Sequence, residues 1–405
     1  MKYAHLADLH LGSWRDQKMR DLSTKAFLQA IDECIEKSVD FILFAGDIFN
    51  TSLPALDTLK IVTKKLKELQ EINIPLFVIA GSHDFSPSGK TMIDVLENAG
   101  LLVNVCKGIV DPNSKKLILR FVVEPNTGAK ITGILGRKGQ LDKKYYENLE
   151  LDSLEREEGY KIFMFHTTLS ELKPKHLEQV ESHPASFLPK GFDYYAGGHI
   201  HHPNRIDLEG YGPMTYPGAL FPNNFAEVEK YSHGGYYIIT THEHGSIIEW
   251  MPLKVIKHCK ISIDARGLGP EHIKEKLLEN MDVKDAIVTI RIYGKLAQGK
   301  LNDINFKEVF NKFYAEGAYF IMKNTAKLIA DEYEEIKISE ANPEMIEEKL
   351  IKEHLQQIKL FDSEKELSLS KTLLQCLNNS KQEGETITDF NDRILKEINT
   401  ILNVN

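Results

Sequence analysis

Cysteine is scarce in this chain and widely scattered: Cys34, Cys106, Cys259 and Cys376 are the four among 405 residues, and no two form a CxxC pair. That spacing excludes a disulfide framework and a thiolate zinc site, leaving each as a small core residue. Also missing is any apolar run near the roughly 18 to 20 residues a membrane span requires. No basic region, apolar stretch and cleavage site precede the strand-like residues 2–7, so a cytoplasmic protein without a membrane partner is expected. No internal repeat is present. Positive charge is short too, with 50 Lys and Arg against 59 Asp and Glu and a net charge of −9. The deficit is uneven: residues 331–405 hold 17 acidic and 9 basic side chains, a net −8 that leaves the first 330 residues at −1. A local basic surface on the body of the protein is therefore compatible with the composition.

What is present begins with alternation. Strand-like apolar runs at 3–7, 41–45, 76–80, 162–165 and 194–196 alternate with helical patterns, the clearest being Leu56, Leu59, Val62, Leu66, Leu69 and Ile72 at steps of three or four. This predicts an α/β core, and each strand runs into polar residues and glycine, where the ligand sites of such sheets lie. Residues 101–136 turn to short β-like segments, and 236–240 with 247–251 reads as a hairpin. Beyond Pro252, strand-like 260–263, 286–293 and 318–321 alternate with helix-like 270–280 and 306–316, a second small α/β unit. A chain of this length is expected to form two or three units. From 331 onward it carries amphipathic stretches marked by Ile346, Leu350, Ile358 and Phe361, and by Ile387, Phe390, Ile394, Ile398 and Ile401. Such helices do not hold alone in water; they need the body of the protein or a partner's groove.

The strand ends carry DLH (Asp8, His10), GDIF (Asp47), GSHD (Ser82, His83, Asp84), FHTT (His166) and GGHIHH (His199, His201). On extended backbone, side chains two residues apart project to one side, so a single cation can meet both members of DxH or HxH. Mixed carboxylate and imidazole donors favour Mn²⁺, Fe or Zn²⁺ over Ca²⁺ or Mg²⁺. One strand-end histidine is more often a hydrogen-bonded structural residue, and GD is a common turn dipeptide. Five such elements in order on successive strands carry the chemical reading.

Together they resemble the calcineurin-like metallophosphoesterase superfamily, patterned DxH, GD, GN[HD], a separate His and GHxH. The resemblance implies an α/β fold with a two-layered sheet sandwich flanked by helices, and two divalent ions, with Mn²⁺ foremost. Asp8, His10 and His201 would hold one ion, His166 and His199 the other, and Asp47 would bridge. His83 would stand beside the scissile phosphate, with Asp84 either fixing its ring or capping a turn. Ser82 stands where the family has an Asn ligand; a hydroxyl is a poorer donor and lies nearer the backbone, so the second ion should bind more weakly. The ions would activate water for in-line attack on phosphorus.

More narrowly, AHLADLHLG, FAGDIFN, VIAGSHD and YYAGGHIHHP are similar to the SbcD-type nuclease of double-strand-break repair. That resemblance covers residues 1–255 and implies a Mn²⁺-dependent DNA exonuclease and endonuclease acting as a homodimer, nucleoid-associated in a prokaryote. Residues 256–330 would be a capping domain that helps hold DNA, and the helical tail at 331–405 would bind the coiled-coil base of an SbcC-like ATPase. Asn50 stands where several members carry a His that assists exonuclease action. Arg15, Lys18 and Arg20 after DLHLG, Lys90 after GSHD, and Arg137 with Lys138 are candidates for DNA contacts, a solvated charged face being the alternative for each. Two other functions fit the same residues: a small-molecule phosphodiesterase or phosphatase sharing only the core, and a DNA-end-binding, ATPase-anchoring subunit with weak nuclease activity.

Overall fold

The computed structural model describes residues 1–86, 91–173, 181–243, 245–279, 282–330, 351, 362–382 and 385–402. Residues Met1–Asp331 form one compact unit and Glu332–Asn405 another.

Along the chain, β1 (Lys2–Leu6), α1 (Gln17–Glu36), β2 (Phe41–Ala45), α2 (Leu56–Glu71), β3 (Leu76–Ile79), α3 (Met92–Asn98) and β4 (Val103–Asn104) build half of a sandwich. A hairpin of β5 (Gly108–Val110) and β6 (Leu117–Leu119) is followed by β7 (Val122–Val123) and β8 (Lys130–Ile134). Short helices α4 (Lys143–Glu147) and α5 (Asp152–Arg156) lead to β9 (Lys161–His166), β10 (Tyr194–Gly198), β11 (Asn204–Ile206) and β12 (Met214–Tyr216). Then come α6 (Phe225–Tyr231) and the hairpin of β13 (Gly234–His242) and β14 (Gly245–Leu253).

Two six-stranded sheets result, ordered β14-β13-β1-β2-β3-β4 and β11-β12-β10-β9-β8-β7. In the first, β1 to β4 run parallel; in the second, β12, β10, β9 and β8 do. Tyr3, Phe41, Leu43, Phe77 and Ile79 of one sheet meet Ile131, Ile162, Met164 and Tyr194 of the other. The far side of the first sheet packs Leu6, Ile42, Phe44 and Val78 on Phe27, Ile31, Val62 and Leu66 of α1 and α2. Because β2 is covered on both faces, it reads as an unbroken apolar run, and β1 is interrupted only by the buried His5 after Lys2; each large apolar side chain buried there contributes about 1.5 to 3 kcal/mol. The stripe on α2 is shorter than its periodicity predicts. Val62, Leu66 and Leu69 are buried, but Leu56 and Ile72, at the ends of the helix, stay exposed.

β15 (Lys257–Asp264), α7 (Pro270–Leu277), β16 (Ala286–Lys295), α8 (Phe306–Ala315) and β17 (Phe320–Ile329) follow. The three strands form a parallel sheet of their own, closed by Ile261, Ile290, Ile292, Ile273, Val309 and Phe313. It joins the sandwich along a seam where Ile287 packs with Met19, Leu22, Phe221 and Val228. Beside that seam, Arg291 donates to both oxygens of Glu229 at 2.6 to 2.8 Å.

In the second unit, helices Ser363–Leu377 and Ile387–Leu402 pack on each other. The amphipathic stretch marked by Ile346, Leu350, Ile358 and Phe361 lies outside the described residues. Among the described residues no helix is long and apolar enough to cross a membrane.

Candidate metal centre

Parallel strands within each sheet deliver their carboxyl ends to one edge of the sandwich. Asp8 and His10 follow β1, Asp47 follows β2, Ser82, His83 and Asp84 follow β3, His166 ends β9, and His199 and His201 follow β10. The turns there are tight enough to force left-handed backbone on ordinary residues: φ is 51° at Asp8, 42° at His10, 51° at Asp47 and 91° at His199. Such conformations cost on the order of 1 kcal/mol or more each and gather at functional sites. A cavity of about 370 Å³ opens over this edge, lined by His10, Asp47, Ser82, His83, His199 and His201 among others.

Ligand-capable atoms of Asp8, His10 and His201 lie within 4.8 Å of one another, as do those of Asp47, His166 and His199, and those of His10, Asp47 and His83. Hydrogen bonds fix most of them. The His199 N–H donates to Asp8 at 2.9 and 3.0 Å, and the His83 N–H donates to Asp47 Oδ1 at 2.7 Å. His166 Nδ1 donates to the Ala45 carbonyl at 2.8 Å, which leaves the Nε2 lone pair pointing away from the backbone.

That Nε2 is buried and has no hydrogen-bond partner, although Asp47 Oδ2 lies 3.2 Å away. A lone pair facing a carboxylate oxygen needs a proton or a cation between them. The His10 and His201 Nε2 atoms likewise face each other at 3.1 Å. His201 Nδ1 is turned to Glu227 Oε1 at 3.0 Å, so its Nε2 is the nitrogen left for the cavity. Two carboxylates and four imidazoles aimed at shared points are a donor set that fits two borderline divalent cations.

Residues 1–203 match the calcineurin-like phosphoesterase family. The chain belongs to that family. Among curated proteins it is 29% identical over 268 residues to the DNA double-strand break repair protein Mre11 of Methanopyrus kandleri, covering 62% of this chain and 56% of that protein. It thus spans just over half that relative's length. The Mre11 protein of Methanococcus maripaludis is 27% identical over 367 residues, with 87% of this chain and 91% of that one covered. A component of the nuclease SbcCD from Staphylococcus epidermidis is 26% identical over 299 residues, covering 69% and 77%.

In this phosphoesterase the charge states of His10, His199 and Asp47 suit ligation, while His166 holds a proton. Burial, with His201 next, lowers His10 to about 3, and burial, with His166 next, lowers His199 to about 4. Both imidazoles therefore stay neutral and keep a lone pair. Burial would raise Asp47, but His166 and then His10 hold it well below the carboxylate range. Burial would lower His166, yet Asp47 pushes it up to about 10, so at neutral pH this imidazole holds a proton that a bound cation would displace. Ionised carboxylate and neutral imidazole are the forms that bind metal.

Asp84 does not fix the His83 ring. Its two oxygens accept from the backbone N–H groups of Ile48, Phe49 and Gly81 at 3.0 to 3.1 Å, which ties the second and third strand-end loops together. His83 Nδ1 donates instead to the Asn50 carbonyl at 2.9 Å. Every residue offers that carbonyl, so no sequence signal marks it.

Glu227 on α6 was also missed, since nothing in the spacing of PNNFAEVE links it to His201. Of the DNA candidates, Arg15, Lys18 and Arg20 do not line the cavity over the nest. Arg15 is exposed, Arg20 donates to Trp14 O and Gln17 Oε1, and Lys18 donates to Tyr319 O at 3.1 Å while lying 5.5 Å from the Tyr314 and Tyr319 rings. Lys18 therefore works in the seam with the small sheet. Lys90 lies outside the described residues.

Proposed function

We propose that the chain is a Mn²⁺-dependent DNA nuclease of double-strand-break repair, with exonuclease and endonuclease action on phosphodiesters at a two-cation centre. One observation carries it: Asp47 belongs to two three-residue clusters, one with His10 and His83 and one with His166 and His199, and the His166 Nε2 facing it is buried without a hydrogen-bond partner. Asp8, His10 and His201 would hold one ion and His166 and His199 the other, with Asp47 shared and Ser82 at the edge of the second. The chemistry the ions supply when bound is Lewis acidity, neutralising charge at phosphorus and making a nucleophile available near neutral pH.

The chain's own residues do the rest. With its Nδ1–H committed to Asn50 O, His83 meets substrate through Nε2, and in the protonated form that nitrogen donates to the leaving oxygen or to charge on phosphorus. Glu227 keeps the His201 ring turned so that Nε2 faces the cavity. The Asp84 carboxylate keeps Asp47 and His83 in register by holding both loops.

DNA as substrate is supported by the names of the similar proteins, and by a similarity that in one case runs over 367 residues, past the sandwich. Residues 256–330 would cap the cleft and hold DNA. The tail at 331–405 would bind an SbcC-like ATPase; Leu377 and Leu395, exposed at 59% and 55%, give its described helices apolar surface for such a partner. The reading also includes a homodimer and a cytoplasmic, nucleoid-associated location. One observation favours a second reading, a DNA-end-binding, ATPase-anchoring subunit with weak nuclease: Ser82 offers no amide oxygen.

The test uses purified protein with Mn²⁺ on labelled duplex and single-stranded DNA and on bis(p-nitrophenyl) phosphate, beside His83→Ala and a chain lacking residues 336–405. DNA cleavage that falls roughly 100- to 10,000-fold in His83→Ala is expected, with ATPase co-purification lost only in the truncation. Cleavage of the small ester alone points to a small-molecule phosphodiesterase. DNA binding without cleavage points to the anchoring subunit.

A further inference from the structure

The loop that carries His83 borders two cavities. One lies over the candidate metal ligands; the other, of about 440 Å³, shares His83 and is lined also by Asn50, Phe85, Arg137, Lys138 and Leu141. Its size is in the range of about 300 to 1,000 Å³ usual for small-ligand sites. Arg137 follows β8 at the same edge as the metal candidates: a Cβ on the preceding Gly136 would stand 2.5 Å from His166 Cδ2. The second cavity is therefore walled by loops from both sheets, next to the place where a scissile phosphate would meet His83.

Arg137 is held firmly, and among the described residues no carboxylate forms an ion pair with it. The guanidinium carbon lies 4.4 Å from the Phe85 ring centroid and 6.0 Å from that of Tyr145. Nη1 donates to Tyr145 Oη at 3.1 Å, while Nε is buried with no hydrogen-bond partner. A buried donor without an acceptor is costly, and its persistence calls for an acceptor that arrives from outside. Among the described residues no carboxylate lines this cavity. By contrast, the cavity between α1 and α2 that holds Arg20 and Lys25 also holds Asp21 and Asp57. Leu141, 60% exposed, adds apolar surface beside the cations.

We propose that this second cavity binds the nucleotide adjacent to the scissile phosphodiester of a DNA strand, with Arg137 gripping the neighbouring phosphate, Lys138 adding charge at the rim, and the base resting on Phe85 and Leu141. The proposal rests on the nuclease reading above. A guanidinium already fixed by stacking offers a planar fork that matches phosphate oxygens, which an ammonium at the same place does not. A small aryl phosphodiester carries neither the neighbouring phosphate nor the base, so it does not use the cavity.

The experiment compares the parent protein with Arg137→Gln, Arg137→Lys and Lys138→Gln. Binding of a labelled single-stranded decanucleotide is followed by fluorescence anisotropy in EDTA over a salt series. KM and kcat are then measured with Mn²⁺ on the same oligonucleotide and on bis(p-nitrophenyl) phosphate. Arg137→Gln is expected to weaken oligonucleotide binding roughly 10-fold, to flatten the salt dependence by about 0.7 in log–log slope, and to raise the oligonucleotide KM in step. Arg137→Lys recovers only part, and both variants leave the small ester unchanged. Unchanged affinity, slope and KM would overturn the assignment, as would equal loss on both substrates. A parent protein that hydrolyses the small ester but neither binds nor cuts the oligonucleotide sinks the nuclease reading and this one together. Should Arg137→Gln lower the melting temperature, the charge-keeping Arg137→Lys and the rim variant Lys138→Gln decide.

Discussion

Ser82 sits between Gly81 and His83, both set against Asp47, and the loop around it is unusually constrained. A Cβ on Gly81 would stand 2.2 Å from Asp47 Oδ1, and the His83 N–H donates to that same oxygen at 2.7 Å. The backbone on either side of Ser82 is thus pinned to Asp47 whatever side chain residue 82 carries. The side chain itself is buried to 8% exposure at the cavity wall. Ser82→Asn therefore inserts a longer amide donor into a position already fixed. Calorimetric titration with Mn²⁺ should show the weaker of two binding events strengthened about tenfold, or 1.4 kcal/mol. Equal affinities in parent and variant would remove residue 82 from the ligand set. Candidate ligands such as Asp8, His10, His199 and His201 were readable as candidates because DxH and HxH put both donors in one short motif. The roles of Asp84 and Asn50 were not, because each acts through backbone groups that every sequence has.

Among the elements, α6 links the metal nest to the small sheet. Asn224 caps it by accepting from the Glu227 N–H at 3.0 Å. Glu227 then accepts from His201 Nδ1 at 3.0 Å and from the Asn223 N–H at 2.9 Å. Val228 is buried in the seam, Glu229 pairs with Arg291 of β16, and Tyr231 stacks on His202 with centroids 5.3 Å apart. Seven residues thus join a candidate ligand to the unit proposed to hold DNA. Periodicity could not reveal this helix, which is too short to show an apolar stripe. It also passed over α1, whose buried face mixes Met19, Leu22, Phe27 and Ile31 with Ser23, Ala26, Ala30 and Cys34. A carboxylate behind a ligating imidazole sets its orientation and basicity, and its loss costs roughly 10- to 100-fold in metal affinity. Glu227→Gln should show a loss of that size by Mn²⁺ titration with its melting temperature nearly unchanged. Full affinity in the variant would reduce Glu227 to a loop cap.

At the scale of the whole molecule, the two-layered sandwich was implied only by the family resemblance, while the core strands were legible because strands covered on both faces are continuous apolar runs, as in Phe41–Ala45, whose five residues are all buried. The strand order was not, since nothing in Gly234–His242 says that it lies antiparallel beside β1. That closure of the core around β1 has a consequence for acid stability. His5 on β1 is fully buried between the sheets, with Nδ1 at 3.0 Å from Tyr194 Oη and 3.2 Å from Thr215 Oγ1 and with Nε2 unpartnered. Burial lowers it to about 3. The unfolded chain takes up a proton at an ordinary His near pH 6.5, while the folded protein does not until the pH nears 3. The stability His5 contributes is therefore complete above about pH 6.5 and is lost as the pH falls through the window down to 3. One pKa unit is about 1.4 kcal/mol, so the loss between pH 7 and pH 5 comes to about 2 kcal/mol. Urea unfolding of the parent protein and His5→Gln, both in EDTA, should show the parent losing about 2 kcal/mol more than the variant over that interval. The variant keeps a polar group for Tyr194 and Thr215 but has nothing to titrate. Parallel losses in the two proteins would place the acid sensitivity elsewhere, in the strand-end imidazoles rather than in the heart of the sandwich.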